Sequence, residues 1–238
     1  MVLDSNKQSE LKRILAKKAA QEVVSGMFVG LGTGSTASLF INELAKRVHD
    51  EGIKVDAVAS SVSSARLATQ LGIRLLADFD YPLLDLTVDG ADEVDPFCQL
   101  IKGGGGAMTR EKIVMSSSRR TIILIDETKE VDVLGAFGVP VEILLFGANS
   151  TVRRLNEMGY SGCFRKKNNE IVFSDNGNPI FDISYPKQFF DPSEDISKIL
   201  SIPGVVEVGL IVGGYYDVWV GSSDGSVRKK ISQKKGKE

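Results

Sequence analysis

The residues best suited to chemistry in this chain lie between Asp89 and Lys112. Asp89, Asp92 and Glu93 fall within Asp89-Gly90-Ala91-Asp92-Glu93, and Lys102 opens the run Gly103-Gly104-Gly105-Gly106, which leads on to Arg110-Glu111-Lys112. Carboxylates move protons, and a lysine can face developing negative charge. Glycines let backbone N–H groups approach a ligand because no Cβ stands in the way. Residue types alone leave three uses open: an Asp-Gly turn, a Mg²⁺ site of carboxylates and water, or a centre for proton transfer on a bound anion. The apolar run Leu83-Leu84-Asp85-Leu86-Thr87-Val88 reads as a buried strand. The acids would then emerge at a strand's carboxyl end, where open α/β sheets bind their ligands.

A second glycine loop, Gly30-Leu31-Gly32-Thr33-Gly34-Ser35-Thr36, follows a predicted strand and opens a predicted helix. Free N–H groups and the helix dipole suit such a place to phosphate. The hydroxyls of Thr33, Ser35 and Thr36 add donors. Its spacing is G-x-G-x-G, not the dinucleotide G-x-G-x-x-G, and no ribose-binding acid follows the next strand, which ends in Ser60-Ser61. A single phosphate fits better than a dinucleotide, with a plain strand-helix turn as the alternative. The serine cluster Ser60 to Ser64 reads as a turn or helix cap.

Composition narrows the chemistry. The 238 residues carry 29 basic and 31 acidic side chains, a near-neutral balance that argues against a general nucleic-acid binder. No stretch approaches the roughly 20 apolar residues of a membrane span, and residues 1–15 lack the apolar core of a secretory signal. These features lead us to expect a cytoplasmic protein. Cys98 and Cys163 give neither a disulfide framework nor metal-ligand spacing, and are expected to be buried or half-buried thiols. The one histidine, His49, is expected at the surface, so Ser-His-Asp machinery and histidine-rich zinc sites are excluded by count. Acid-base work must rest on carboxylates, lysines or tyrosines.

The elements that would position these groups follow from hydrophobic period. Helices are predicted over 7–24, 35–48, 64–71 and 107–117, alternating with strands over 27–31, 55–59, 73–77, 83–88 and 121–126. That alternation implies an α/β fold, a mostly parallel Rossmann-like sheet with helices on both faces. Beyond about residue 134 the pattern becomes β-α-β-β-α-β: 141–145, 150–158, 171–175, 180–183, 193–200 and 205–212, the ferredoxin-like order. Residues 1–134 and 213–238 are read as one domain, with 218–220 returning to its sheet, and 135–212 as a smaller inserted α+β domain. Tyr215, Tyr216 and Trp219 are left between core and interface. The basic tail from Arg228 is expected to be a solvated, frayed terminus.

The sequence Asp89-Gly90-Ala91-Asp92-Glu93, with Lys102 to Lys112, resembles the signature of ribose-5-phosphate isomerase, type A. Lys129 to Gly135, Pro140-Val141-Glu142, Asp175-Asn176-Gly177-Asn178, Pro203 to Val206 and Asp224-Gly225 resemble later blocks of that family, in family order. The resemblance implies interconversion of D-ribose 5-phosphate and D-ribulose 5-phosphate through an enediolate, without metal or organic cofactor, in the non-oxidative pentose phosphate route. It implies Glu111 as the carbon base and Asp89 as the group acting on sugar oxygens and in ring opening. Asp92 would assist and position Lys102. Lys102, with the N–H groups of Gly103, Gly104, Gly105 and Gly106, would face the enediolate. The phosphate would meet Lys12, Gly32, Thr33, Gly34, Ser35 and Thr36, with Lys129 at the pocket and Ser61 a further substrate contact. Glu93 and Lys112 are expected to be structural and surface residues. The implied partner is a small sugar phosphate, with no nucleic acid or membrane, and the implied assembly a homodimer or homotetramer. A sugar-phosphate sensor and a CoA-transferase relative are the competing readings. Retention of Glu111, Asp89 and Lys102 speaks against the first, and the lysine-glycine run against the second.

Overall fold

The computed structural model describes residues 5–184, 191–214 and 216–231. In chain order its elements are α1 (Ser5–Gln21), β1 (Phe28–Leu31), α2 (Ser35–Lys46), β2 (Asp56–Ala59), α3 (Val62–Gln70), β3 (Arg74–Leu75), β4 (Leu86–Gly90), β5 (Glu93–Val94), β6 (Leu100–Ile101), α4 (Met108–Ser116) and β7 (Thr121–Asp126). There follow β8 (Val139–Ile143), α5 (Ala148–Glu157), β9 (Gly162–Phe164), β10 (Lys166–Lys167), β11 (Glu170–Ile171), β12 (Ile180–Ile183), α6 (Pro192–Leu200), β13 (Val205–Val208), β14 (Leu210–Ile211), β15 (Tyr216–Gly221) and β16 (Val227–Ile231). They form two compact units. The first holds the described residues of Met1–Ala91, Arg110–Glu130 and Gly214–Glu238, and the second Asp92–Thr109 with the described residues of Val131–Gly213.

The first unit is built on a seven-stranded sheet of order β16-β15-β7-β4-β1-β2-β3. Every pairing from β15 to β3 is parallel, and β16 joins β15 antiparallel. All six residues of β7 are buried, as a parallel strand covered on both faces requires. The apolar stripe of α1 (Leu15, Ala16, Ala19), with Val23 just after the helix, packs in one cluster with Phe40, Ile41 and Leu44 of α2 and with Leu31, Val88, Ile122 and Trp219 of the strands. α4 lies close against the sheet: a Cβ at Gly30 would overlap Thr87 Oγ1 and come 2.6 Å from Val114 Cγ1. After β1 the chain builds outward through β2 and β3, then returns to place β4 on the other side of β1. The carboxyl ends of β1 and β4 therefore flank a topological switch point.

The second unit contains a four-stranded antiparallel sheet of order β13-β8-β12-β9, which is the ferredoxin-like arrangement. Its core joins Val139, Val141 and Ile143 of β8 with Leu155, Phe181, Ile183, Ile199 and Val208. A three-stranded sheet, β14-β6-β5, carries the segment that leads into the four-glycine run.

Several expectations are revised. Residues 171–175 do not form the second strand of this unit; β9 does, and Ile171 and Phe173 are exposed. Gly162 starts β9 because a Cβ there would overlap the backbone carbonyl of Asp182. β10 and β11 instead make a hairpin whose turn residues, Asn168 and Asn169, sit at φ +52° and +68°, as a two-residue type I′ turn requires. The single strand expected over 205–212 divides, β13 pairing with β8 and β14 with β6. The tail is not frayed from Arg228: β16 runs to Ile231, with Arg228 and Lys230 on Glu130 and the Lys229 ammonium 3.9 Å from the Trp219 ring centre. Three successive long basic side chains suit an edge strand; residues 232–238 lie outside the described residues. Tyr216 and Trp219 are core, while Tyr215 lies outside the described residues. Cys98 is buried as expected, whereas Cys163 is exposed. His49 is exposed, with Nε2 2.9 Å from the Leu71 carbonyl. Among the described residues no helix is long and apolar enough to cross a membrane. The compact units part at 130/131 and 213/214, and the second also takes in Asp92–Thr109. The pairing of β5 and β6 with β14 accounts for that addition.

Candidate active site

The residues singled out from the sequence form two groups, one in each unit. Lys12, Gly32 to Thr36, Ser61, Asp89, Glu111 and Lys129 belong to the first; Asp92, Lys102 and Gly103 to Gly106 belong to the second.

In the first unit the loop after β1 and the acid at the end of β4 are one construction. Gly32 N–H donates to the Val88 carbonyl at 2.9 Å, extending the sheet by one residue. Thr33 N–H then donates to Asp89 Oδ1 at 3.0 Å, and Gly90 N–H to the same oxygen at 2.7 Å. The approach is so close that a Cβ at Gly32 would overlap the Asp89 carboxylate and sit 2.6 Å from its Cα. Asp89 is 1% exposed. Gly34 has φ +99°, the left-handed region, and caps α2 without a side-chain hydrogen bond. The first turn of α2 has Ser35 exposed and Thr36 buried, and its N-terminus carries the positive end of the helix dipole. The Lys12 ammonium lies 3.4 Å from Ser35 Oγ and 3.7 Å from Asp126 Oδ2. Two serines brace the loop from behind: Ser60 Oγ meets Thr33 Oγ1 at 2.8 Å, and Ser64 Oγ donates to the Gly32 carbonyl at 2.7 Å. Ser61 is the N-cap of α3, its Oγ accepting from Ser64 N–H at 3.1 Å. Lys129 is half-buried at the end of the 3₁₀ turn after β7. Glu111 is 4% exposed in the first turn of α4, where the helix dipole favours its charge.

In the second unit Asp92 grips the glycine run. Its Oδ2 accepts from Gly104 N–H at 2.7 Å, and its own N–H donates to the Ile101 carbonyl at 2.8 Å. Gly103 and Gly106 have φ +103° and +78°, and Gly106 N–H closes a turn onto the Gly103 carbonyl at 2.9 Å. Lys102 is 2% exposed, its backbone N–H held by the Gly209 carbonyl at 2.8 Å. Glu93 is structural: its carboxylate accepts from the N–H groups of Gly135 and Phe137.

Sequence reasoning passed over three side chains that shape these groups. Asp126 ends β7 and holds Gln8 at 3.1 Å as well as Lys12; a charge closing an otherwise apolar strand, as Asp89 closes β4, was the available signal. Glu142 is 0% exposed on β8 and gathers Thr109, Ser174, Asn176 and Asn178 around its carboxylate; a charge in the middle of a predicted strand pointed to it. Arg165 donates to the carbonyls of Gly103 and Gly104, and no local pattern marks it.

Chemically, the first group offers an anion site beside a buried carboxylate, with a second buried carboxylate on α4. The second offers a buried lysine next to a backbone turn of glycine N–H groups. A phosphate handle, acid-base groups and donors for an oxyanion are the parts that proton transfer on a phosphorylated sugar needs.

Comparison with known proteins points the same way. A family described as ribose 5-phosphate isomerase A (phosphoriboisomerase A) matches residues 56–225. The Chlamydia caviae protein named ribose-5-phosphate isomerase A is 48% identical over 222 residues, which is 93% of this chain and 95% of that protein. The structure of ribose 5-phosphate isomerase from Plasmodium falciparum is 36% identical with a TM-score of 0.90, covering 96% of this chain and 100% of that one. A D-ribose-5-phosphate isomerase solved in complex with phospho-erythronic acid is 35% identical with a TM-score of 0.87, covering 93% of this chain and 98% of that one.

Proposed function

This chain belongs to the ribose 5-phosphate isomerase A family, and from that premise we propose how it interconverts D-ribose 5-phosphate and D-ribulose 5-phosphate. The observation that carries the reading is the hydrogen bond from Thr33 N–H to Asp89 Oδ1 at 3.0 Å. It supports a site in which the loop that grips the phosphate also fixes a carboxylate that works on the sugar.

In this reading the phosphate rests on the N-terminus of α2, with Lys12 supplying charge and Thr33, Ser35 and Thr36 supplying hydroxyls. Asp89 moves the proton that opens the furanose ring and later shuttles protons between the sugar oxygens. Glu111 removes the C2 proton of the open aldehyde; the C–H electron pair forms the C1–C2 double bond and the carbonyl pair moves onto O1. Lys102 and the glycine N–H groups offset that negative charge. Asp89 carries the O2 proton to O1, the O2–H pair becomes the C2=O2 bond of the ketone, and the C1–C2 double-bond pair takes the proton back from Glu111 at C1. Charge and atoms balance without metal, oxidant or organic cofactor. Asp92 holds the glycine run, Lys129 borders the sugar, and Ser61 serves the site as the cap that sets α3. A cytoplasmic homodimer or homotetramer in the non-oxidative pentose phosphate route completes the reading, supported by family membership alone.

The test follows ribulose 5-phosphate formation from D-ribose 5-phosphate in excess EDTA, for wild type and Glu111→Gln. Loss of the carbon base should lower kcat by about 10³-fold, and EDTA should leave the wild-type rate unchanged. Turnover abolished by EDTA sinks the metal-free route. Full activity in Glu111→Gln sinks that residue's role. Binding without turnover in the wild type favours a sugar-phosphate sensor.

A further inference from the structure

Arg165 follows the edge strand β9, and its guanidinium divides its donors between two jobs. Nε and Nη2 pair with the two oxygens of Asp182 on β12, Nε at 2.9 Å from Oδ2. Nη1 donates to the carbonyls of Gly103 and Gly104, both at 2.8 Å. The fork is well anchored: the Arg165 side chain is 15% exposed, and its own N–H donates to the Ile180 carbonyl at 2.8 Å. Planar, bidentate recognition of this kind belongs to arginine and is lost with lysine.

The consequence follows from the geometry of the trans peptide, in which C=O and N–H of one plane point in opposite directions. Holding the Gly103 carbonyl fixes the direction of Gly104 N–H, which Asp92 takes at 2.7 Å. Holding the Gly104 carbonyl fixes the direction of the next N–H, that of exposed Gly105, and turns it away from Arg165. Glycines have no side chains to lock such planes, so an outside clamp is required. A cation on both carbonyls also polarises the two peptides, which strengthens their N–H groups as donors.

We propose that Arg165, held by Asp182, is a positioning residue for the reaction. It aims the Gly105 N–H so that this donor meets the enediolate oxygen already oriented. The proposal rests on the isomerase reading above. The contacts of Arg165 are with Asp182 and the glycine run, all within the second unit.

The experiment compares wild type, R165M, R165K and D182N in the ribose 5-phosphate assay. Each protein is also inhibited in parallel by phospho-erythronic acid, whose carboxylate probes the donors, and by inorganic phosphate, which probes the α2 loop alone. For R165M we expect kcat to fall between about tenfold and a hundredfold, with KM within about threefold. Inhibition by phospho-erythronic acid should weaken about tenfold, in step with the lost donor, while inhibition by phosphate stays at the wild-type level. R165K should not restore kcat, since one ammonium cannot bridge a carboxylate and two carbonyls. D182N keeps the guanidinium and loosens it, so it gives a smaller fall of the same kind and serves if R165M does not fold. Wild-type kcat in R165M or in D182N overturns the proposal, as does full rescue by R165K. Parallel loss of phosphate inhibition also overturns it, because that is the mark of a general structural defect. Absence of turnover in the wild type removes the isomerase reading and the proposal together; turnover in the wild type with an indifferent R165M removes the proposal alone.

Discussion

Two glycine loops, one in each compact unit, are held in different ways. The Gly32–Gly34 loop continues a parallel strand, borrows its first hydrogen bond from the neighbouring strand, and ends on a helix N-terminus. Its shape follows from the sheet. The Gly103–Gly106 run begins after the Lys102 N–H bond to the Gly209 carbonyl, and side chains pin it: Asp92 on an N–H group, Arg165 on two carbonyls. The first design suits a fixed dianion, because helix dipole and N–H groups are set as soon as the sheet forms. The second suits charge that appears only during reaction, where donors must be aimed at one point before it develops. A loop built by its sheet should therefore fail through backbone collisions, and a loop built by clamps should fail through lost orientation.

The largest effect expected from this contrast is at Gly32. In Gly32→Ala the new Cβ meets the Asp89 carboxylate and, at 2.6 Å, the Asp89 Cα within β4. A strand backbone in the middle of a sheet cannot yield, so the loop must shift and take Thr33 and Asp89 with it. We expect kcat/KM for ribose 5-phosphate to drop about a hundredfold or more. Overpacking should also cost about 1–3 kcal/mol in urea unfolding. Activity near the wild-type level would mean that the loop has slack and that the sheet does not set its geometry.

Gly104→Ala is the corresponding test of the clamped loop, and a milder one. Its Cβ would lie 2.5 Å from Asp92 Oδ1 and 3.0 Å from Cγ. Those atoms end a side chain that can rotate, at the cost of its 2.7 Å bond to Gly104 N–H. About a tenfold loss in kcat is expected, with inhibition by inorganic phosphate unchanged. A loss as large as that of Gly32→Ala would erase the distinction between the two loops.

The same distinction decides what could be read from the sequence. Asp89, Glu111 and the Gly30 to Thr36 loop were legible because hydrophobic period places strand ends and helix starts, and ligands gather where these meet. The parallel sheet was legible from alternating elements, down to the return of 218–220. β9 was not, because Gly162-Cys163-Phe164 has no strand period, while the 171–175 stretch that does suggest a strand leaves Ile171 and Phe173 exposed. β16 was hidden by its charges, whose pairing with Glu130 and Trp219 is a tertiary fact. Arg165 was hidden for the same reason: its two partners lie at Asp182 and at Gly103-Gly104, and long-range hydrogen bonds leave no local signature. Family resemblance supplied the roles of Glu111, Asp89, Asp92 and Lys102, which spacing alone left open between turn, metal and proton chemistry.

The smallest effect belongs to an ion pair that resembles Arg165–Asp182 in its chemistry and differs in its task. Glu130 binds Arg228 and Lys230 of the edge strand β16. Burial pushes its carboxyl pKa up, but hydrogen bonds from Lys230 and Arg228, with their charges, outweigh this and hold it below the ordinary 4.5. Because the folded value lies below the unfolded one, the unfolded chain takes up the proton first as pH falls. The pair's contribution is therefore complete above about pH 4.5, and is lost as pH drops through the depressed value. With all three side chains partly exposed, Glu130→Gln should cost less than about 1 kcal/mol at pH 7. The cost should shrink in 1 M salt and vanish in acid. Turnover should follow the wild type, because this pair fastens a strand at the sheet's edge and aims no donor. A fall in kcat to match that of R165M would mean that charge on either loop's scaffold matters more than where the arginine points, and the contrast between sheet-built and clamped loops would lose its basis.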